Sequence, residues 1–224
     1  MSKVTVIIPT LNEAKGIAEV LHELPLEELR SSGFQTEVLV VDGGSTDGTR
    51  SIAAEAGAEV ILEKGGKASA VRRGLVESTG EYIFTIDGDG TYPSDAIIEM
   101  VELLQNGASM VLASRLDGDI CPGAMSSLNR FGNKLLTKLA NGLYGVKVTD
   151  LCTGMRGFKK GGLNGRLPAG KGFEIEASIH NILADKGISE VPIEYRARKG
   201  ESKLKTKDGF FIAVRLLKGR FGKK

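Results

Sequence analysis

Two aspartates, Asp87 and Asp89, stand one residue apart in the stretch FTIDGDGTYPSD, just past an apolar run, and each is followed by glycine. Carboxylates paired at the end of a buried strand repel each other unless a cation or hydrogen-bond donors compensate them. Small neighbours at Gly88 and Gly90 leave room for a phosphate group to approach the backbone. The chemistry on offer is a divalent cation held by one or both carboxylates and completed by substrate phosphates, the mode that Mg²⁺ favours. A tight turn made of Asp and Gly is the competing reading. Other motifs fail on spacing. Counted from Asp87, the places where an EF-hand needs Gly and Glu hold Tyr92 and Ile98. No G-x-G-x-x-G follows the first strand, and G-x-x-x-x-G-K-[ST] is absent.

The elements that must position these acids alternate. KVTVIIPT, TEVLVVD, EVILEK, EYIFTID and SMVLASR read as buried strands. Between them EAKGIAEVLHEL, TRSIAAEAGA, KASAVRRGLVEST and PSDAIIEMVELLQNGA carry apolar residues at helical spacing. This predicts an α/β chain with a mainly parallel central sheet covered by helices on both faces. Ligands in such sheets bind beyond the carboxyl ends of the strands. From about Asp117 the alternation weakens. SSLNRFGNKLLTKLANGLYG reads as a basic amphipathic helix, TDLCTGMRGFKK as a loop and short strand, GFEIEASIHNILADKG as a helix and SEVPIEYRAR as a strand. The organisation expected is one domain over 1–207, with a ligand-binding half at 1–116 and an acceptor-side lobe at 117–207, followed by a basic amphipathic tail at 208–224.

The 224 residues suit one medium-sized domain. Cys121 and Cys152 show no C-x-x-C spacing, which fits a reducing compartment and argues against a disulfide framework or a zinc site. MSKVTVIIPT lacks a signal-peptide cleavage pattern. No run approaches the ~20 apolar residues that span a bilayer. Net charge is +2, but Arg196–Lys224 holds 11 Lys/Arg against 2 Asp/Glu. A basic end on a mildly acidic body implies an anionic partner. Sparse aromatics and no recognition module argue against nucleic acid. DGFFIAVRLLKGRFGKK is suited either to lie among lipid headgroups or to pack on the fold as a last helix.

VIIPTLNE, VVDGGSTDGT, DGDGTYP and GESKL, in that order, resemble family 2 glycosyltransferases of the GT-A fold. Within them the chain is most similar to polyprenyl-phosphate sugar synthases, the dolichyl-phosphate mannose synthase group and its archaeal relatives. The resemblance runs from Val4 to about Leu204. It implies an inverting, Mg²⁺- or Mn²⁺-dependent transfer of one sugar from a nucleotide-sugar, UDP- or GDP-linked, to dolichyl phosphate, for protein glycosylation or other glycan assembly. It implies Pro9, Leu11, Glu13, Val40 and Asp42 at the nucleotide, Asp87 and Asp89 at the metal and Gly88 behind the ribose or diphosphate. Arg115 and Lys203 are implied near the sugar and phosphates, with Asp89, Arg115 and Lys203 catalytic. The chain departs from the mannose synthases in having Leu11 for a tyrosine, Gly43 for a second aspartate, Thr91 for a glutamine and Ala197 for an arginine.

The acceptor class follows from the nucleophile. A sugar hydroxyl needs a carboxylate base near neutral pH. A phosphate monoester has a second pKa of about 6 and needs only cations to position it. The acceptor half offers Arg115, Arg130, Lys134, Arg156, Arg198 and Lys203 with Asn133 and Ser202 as neutral donors, and Arg gives bidentate phosphate contacts. Asp150 is the lone acid of VTDLCTGMRGF; it would serve as base for a hydroxyl acceptor, or equally orient Arg156 or Arg130. A nucleotide-sugar-binding subunit without turnover is the non-enzyme alternative. The expected location is the cytoplasm, in peripheral contact with the membrane face.

Overall fold

The computed structural model describes residues 2–200 and 206–222. Seven strands form one sheet in the order β3-β2-β1-β4-β6-β5-β7. They are β1 Lys3–Thr10, β2 Gln35–Asp42, β3 Glu59–Leu62, β4 Tyr82–Thr85, β5 Met110–Ser114, β6 Arg156–Lys159 and β7 Ile188–Pro192. Neighbours pair in parallel except around β6, which runs antiparallel to both β4 and β5. The mainly parallel sheet predicted from the alternating pattern is present.

Period-two alternation sends β1 side chains to opposite faces. Val4, Val6 and Ile8 join the core under α1 Ala14–His22, α2 Leu26–Ser31, α3 Thr49–Glu55 and α5 Ile97–Gln105. Ile7 joins the opposite core, under α4 Lys67–Glu77 and α7 Ile175–Leu183. α1 meets the first core with Ile17, Val20 and Leu21, one stripe of a 3.6-residue period. The six-residue α2 is absent from the periodicity because it is too short to display one; Leu29 anchors it.

The C-terminal half adds α6 Ser127–Tyr144 and α8 Thr206–Phe221, packed on α7 around Ala140, Leu151, Ala177, Ile212 and Leu216. Ser126 caps α6 by accepting from Asn129 N at 3.2 Å, and Gly145 ends it in the left-handed conformation. The basic tail is therefore a docked helix, and Tyr144 Oη ties it to α6 by donating to the Leu216 carbonyl at 2.9 Å.

The inserted β6 determines what reaches the carboxyl edge. It pairs Arg156 with Thr85. Because it runs antiparallel, the residues entering it, Asp150–Met155, arrive where β4 delivers Asp87. After β7, residues 193–199 return over the same edge, with Arg196 N donating to the Thr91 carbonyl at 2.9 Å.

His180 of α7 is fully buried against the ring of Tyr144, and neither ring nitrogen has a hydrogen-bond partner among the described residues. Burial, with Arg156 nearby, pushes its pKa down to about 4. The unfolded chain takes up this proton near pH 6.5 and the folded chain only near 4, so stability is retained above 6.5 and lost as pH falls between those values. From pH 7.5 to 5 this histidine should cost about 2 kcal/mol of folding free energy. Urea titrations at the two pH values should show that loss in the wild type and not in His180→Leu.

Candidate active site

The loops after β1 and β2 are stitched together. Asn12 Oδ1 accepts from Thr46 N at 2.9 Å and Asn12 N donates to Ser45 Oγ at 2.8 Å. Ala14 N donates to Asp47 Oδ2 at 3.0 Å, which supplies the start of α1 with an acceptor. Asp42 is fully buried; its Oδ1 accepts from Gly44 N at 2.9 Å and Ser45 N at 2.8 Å, and its Oδ2 from Thr10 Oγ1 at 3.1 Å. Asp42 and Val40 thus shape the loop from beneath and do not line the cavity above it. That cavity, about 310 Å³, is lined by Pro9, Leu11, Glu13, Gly43, Lys64 and the Asp87–Asp89 turn, among others.

Both aspartates are compensated by cations brought from distant segments. Lys67, first residue of α4 after two glycines, places Nζ 2.7 Å from Asp87 Oδ1 and 2.8 Å from Glu176 Oε1. Burial alone would raise the Asp87 carboxyl, but Lys67, with Arg198 and Arg115 beyond it, holds it below the ordinary carboxylate range. The same burial would lower Lys67, and the two carboxylates raise it instead. Asp89, 1% exposed, has Oδ1 fixed by Thr91 N at 3.0 Å and Thr91 Oγ1 at 2.6 Å. Its Oδ2 lies in ion-pair contact with Arg198 Nη2 but receives no aligned hydrogen bond among the described residues. Arg198 also stands 3.6 Å from Glu13 Oε1.

Two glycines permit this packing. A Cβ on Gly154 would lie 2.3 Å from Asp87 Oδ2, and one on Gly16 would lie 2.5 Å from the Asp89 carbonyl carbon. Real Cβ atoms do not approach so closely, so these positions hold the loops of the Asp87–Asp89 turn in place.

A second cavity of about 330 Å³ opens on the acceptor side. It shares Lys67, Asp87, Phe173 and Arg198 with the first. Arg115 lines it with its guanidinium 5.2 Å from the Tyr195 ring. Arg115 Nε and Nη2 grip Asp150 Oδ2 and Oδ1 at 2.7 and 2.8 Å. Asp150 is fully buried, and both its oxygens are engaged, so it orients Arg115 and is not placed to act as a base. Asn133 and Arg198 line this cavity. Arg130 does not; it lies exposed on the outer side of α6. Arg156 corrects the expectation further. It is fully buried and donates to the carbonyls of Leu151, Thr153 and Glu176, stapling the Asp150–Gly154 loop to α7. Ser202 and Lys203 lie outside the described residues.

The model of the family described as glycosyl transferase family 2 matches residues 5–166. The chain belongs to that family. The match covers the sheet edge, both aspartates and the Asp150–Gly154 loop. This family 2 glycosyltransferase is 37% identical over 199 residues to glycosyltransferase AglJ of Haloferax volcanii, covering 87% of the chain and 63% of AglJ. It is 35% identical over 203 residues to a dolichyl-phosphate hexose transferase of the same organism, covering 89% of the chain and 85% of that protein. A dolichol-phosphate mannosyltransferase of Pyrococcus furiosus is 29% identical over 221 residues, 93% of the chain and 61% of that protein. The chain thus spans less than two thirds of AglJ and of the P. furiosus protein. Glucosyl-3-phosphoglycerate synthase of Mycobacterium tuberculosis, solved with Mn²⁺, UDP and glucosyl-3-phosphoglycerate, superposes with a TM-score of 0.72 at 22% identity over 100% of this chain and 81% of that one. The fold is shared; it is the GT-A glycosyltransferase fold.

Among the described residues no three His, Cys, Asp or Glu side chains form a metal cluster. Two carboxylates with one oxygen lacking a hydrogen bond suit a hard cation that keeps most of its ligands from elsewhere, Mg²⁺ or Mn²⁺.

Sequence reading missed Gly154, Phe173 and Glu176 at this site, and the pairing of Lys67 with Asp87 and Glu176. The double glycine before Lys67 and the acid embedded in the apolar GFEIEASI run were the available signals.

If Asp150 holds Arg115, Asp150→Asn should lower folding stability by roughly 3 kcal/mol, because it strands a buried guanidinium. Chemical denaturation checks this; a variant of unchanged stability would show that the pair does not hold Arg115 in place.

Proposed function

We propose that this chain transfers a hexosyl group, with inversion, from a nucleoside diphosphate sugar to dolichyl phosphate at a membrane surface. The observation that carries the reading is the charge pattern of the acceptor-side cavity. Two guanidinium groups line it, Arg115 gripped by Asp150 and Arg198 in contact with Asp89, and both carboxylates that line it, Asp87 and Glu176, are ion-paired to Lys67. Such a cavity suits an anionic acceptor that is already ionised and needs no base. The names of the Haloferax and Pyrococcus relatives point to the same acceptor.

In this reading Pro9, Leu11 and Glu13 receive the nucleoside, and the diphosphate meets the Asp87–Asp89 turn. Asp87 and Asp89 would hold Mg²⁺ or Mn²⁺, which when bound offsets negative charge on the departing diphosphate. Glucosyl-3-phosphoglycerate synthase structures with Mn²⁺ or Mg²⁺ and UDP agree with that use of the fold. Thr91 keeps one Asp89 oxygen turned inward, which leaves the other for the cation. Asp150 and Tyr195 fix the Arg115 guanidinium so that it can place the acceptor phosphate for in-line attack on the anomeric carbon. Lys203 is assigned to the same phosphates by its motif.

The membrane contact rests on α6 and α8. Leu128, Phe131 and Leu135 are exposed on one face of α6, and Phe210, Phe211 and Leu217 on α8. Arg130, Lys134, Lys218 and Arg220 stand exposed among them. Asn133 and Ile212 of the same helices line the acceptor-side cavity, so a lipid-facing surface here would be continuous with the acceptor site. Among the described residues no helix is long and apolar enough to cross a membrane. The side facing the cytoplasm follows from the nucleotide donor.

Thermal-shift measurements with UDP and GDP, with and without Mn²⁺, should give a metal-dependent rise of several degrees for one nucleotide, absent in Asp89→Ala. Labelled sugar should then pass to dolichyl phosphate and not to dolichol, giving an acid-labile product that partitions into organic solvent. Transfer to dolichol at a comparable rate would overturn the acceptor assignment.

Deleting α8 would strip Ile212 and Leu216 from the core, so surface substitutions test the membrane contact. Phe131→Ser with Phe211→Ser should reduce co-sedimentation with anionic liposomes at least tenfold without lowering the melting temperature. Unchanged pelleting would remove this contact.

A further inference from the structure

The donor and acceptor cavities meet at Lys67, Asp87, Phe173 and Arg198. Whatever passes from a diphosphate in one to a phosphate in the other must occupy that junction. Its chemistry there is unlike that of either phosphate site. Lys67 has three ammonium donors, of which two face Asp87 and Glu176. Glu176 is 8% exposed and lines the acceptor-side cavity; its Oε1 is held by Lys67, and its Oε2 has no hydrogen-bond partner among the described residues. A buried carboxylate oxygen without a partner is costly unless a ligand supplies one. The Phe173 ring lies 5.3 Å from Lys67 Nζ, a half-buried aromatic surface next to a charged donor and a charged acceptor. A donor, an acceptor and an aromatic face side by side match the hydroxyls and C–H face of a pyranose.

Resting on the glycosyltransferase reading, we infer that Glu176, Lys67 and Phe173 form the subsite that recognises the transferred hexose. Glu176 Oε2 accepts from one sugar hydroxyl, the third Lys67 hydrogen is donated to a neighbouring hydroxyl, and Phe173 covers the ring. Arg156 fixes the backbone at Glu176, since its Nη1 donates to the Glu176 main-chain carbonyl at 2.9 Å. Glu176 is thereby a sugar-specificity residue, with its Oε1 held 2.8 Å from the Lys67 ammonium.

Glu176→Gln tests this with minimal change of shape. The amide oxygen can face Lys67, and the amide nitrogen then places donors where Oε2 was an acceptor. Titration calorimetry with Mn²⁺ should be run on UDP, GDP, UDP-glucose, UDP-N-acetylglucosamine and GDP-mannose. The variant should bind the free nucleotide within twofold of wild type and the preferred nucleotide-hexose at least tenfold more weakly. Phe173→Ala, at a half-buried position, should weaken the same arm, and its melting temperature reports whether the fold is kept. Equal weakening of nucleotide and nucleotide-hexose, or unchanged nucleotide-hexose binding with lost turnover, would overturn the subsite. Failure of the wild type to bind any nucleotide with Mn²⁺ would overturn the donor reading itself, and the subsite would fall with it.

Discussion

The structure depends on the compensation of two carboxylates at one sheet edge. A buried carboxylate without a counter-charge either protonates or unfolds its surroundings. Asp87 and Asp89 escape both because Lys67 and Arg198 reach them from the start of α4 and from the segment after β7. These cations arrive 20 residues before Asp87 and more than 100 after Asp89, so the edge forms only when the whole sheet has formed. The two pairs differ in kind. Lys67 is held between two acids in short contacts, whereas Arg198 touches Asp89 without an aligned hydrogen bond and reaches Glu13 at 3.6 Å. The weaker hold lies on the carboxylate whose second oxygen is otherwise free. A cation entering with a diphosphate therefore meets a displaceable guanidinium at Asp89 and a fixed ammonium at Asp87.

How much of this was legible depended on the range of the interactions. β1, β2, β4 and β5 are set by local apolar runs, and their shared direction follows from alternation with helices; both are written in short windows. The Asp87–Asp89 pair was legible because its oddity is local, two acids at the end of an apolar run. Asp42 shows the opposite case. An acid that ends a strand looks the same whether it faces a ligand or accepts from the turn beneath it, and only the contacts to Gly44, Ser45 and Thr10 distinguish these. Arg156 was misplaced, and the partner of Asp150 left open, for a related reason. Their partners are set by the antiparallel insertion of β6 between β4 and β5, a pairing across about 70 residues that no local pattern announces.

That insertion also explains why one short, glycine-interrupted segment carries so much. Asp150 orients Arg115, Gly154 admits the Asp87 carboxylate, and Arg156 binds the loop to α7. A parallel strand at this place would have brought its far end to the carboxyl edge and left these residues at the opposite side of the sheet. The acceptor half of the site is thus a consequence of strand direction, with the side chains chosen to suit it.

The helices α6 and α8 pose a different constraint. α8 places Ile212 and Leu216 in the core, yet Phe210, Phe211, Leu217 and Phe221 remain exposed. α6 likewise packs Leu136, Leu139 and Leu143 inward while Leu128, Phe131 and Leu135 face out. A helix on the surface of a soluble fold needs one apolar stripe; these two have a second. The second stripes lie among lysines and arginines and on helices that also wall the acceptor-side cavity. We read the second stripes, beside cationic groups, as the surface proposed to meet a bilayer, which is apolar within and anionic without; on that reading a phosphate on a lipid chain presents itself at the depth of the two arginines.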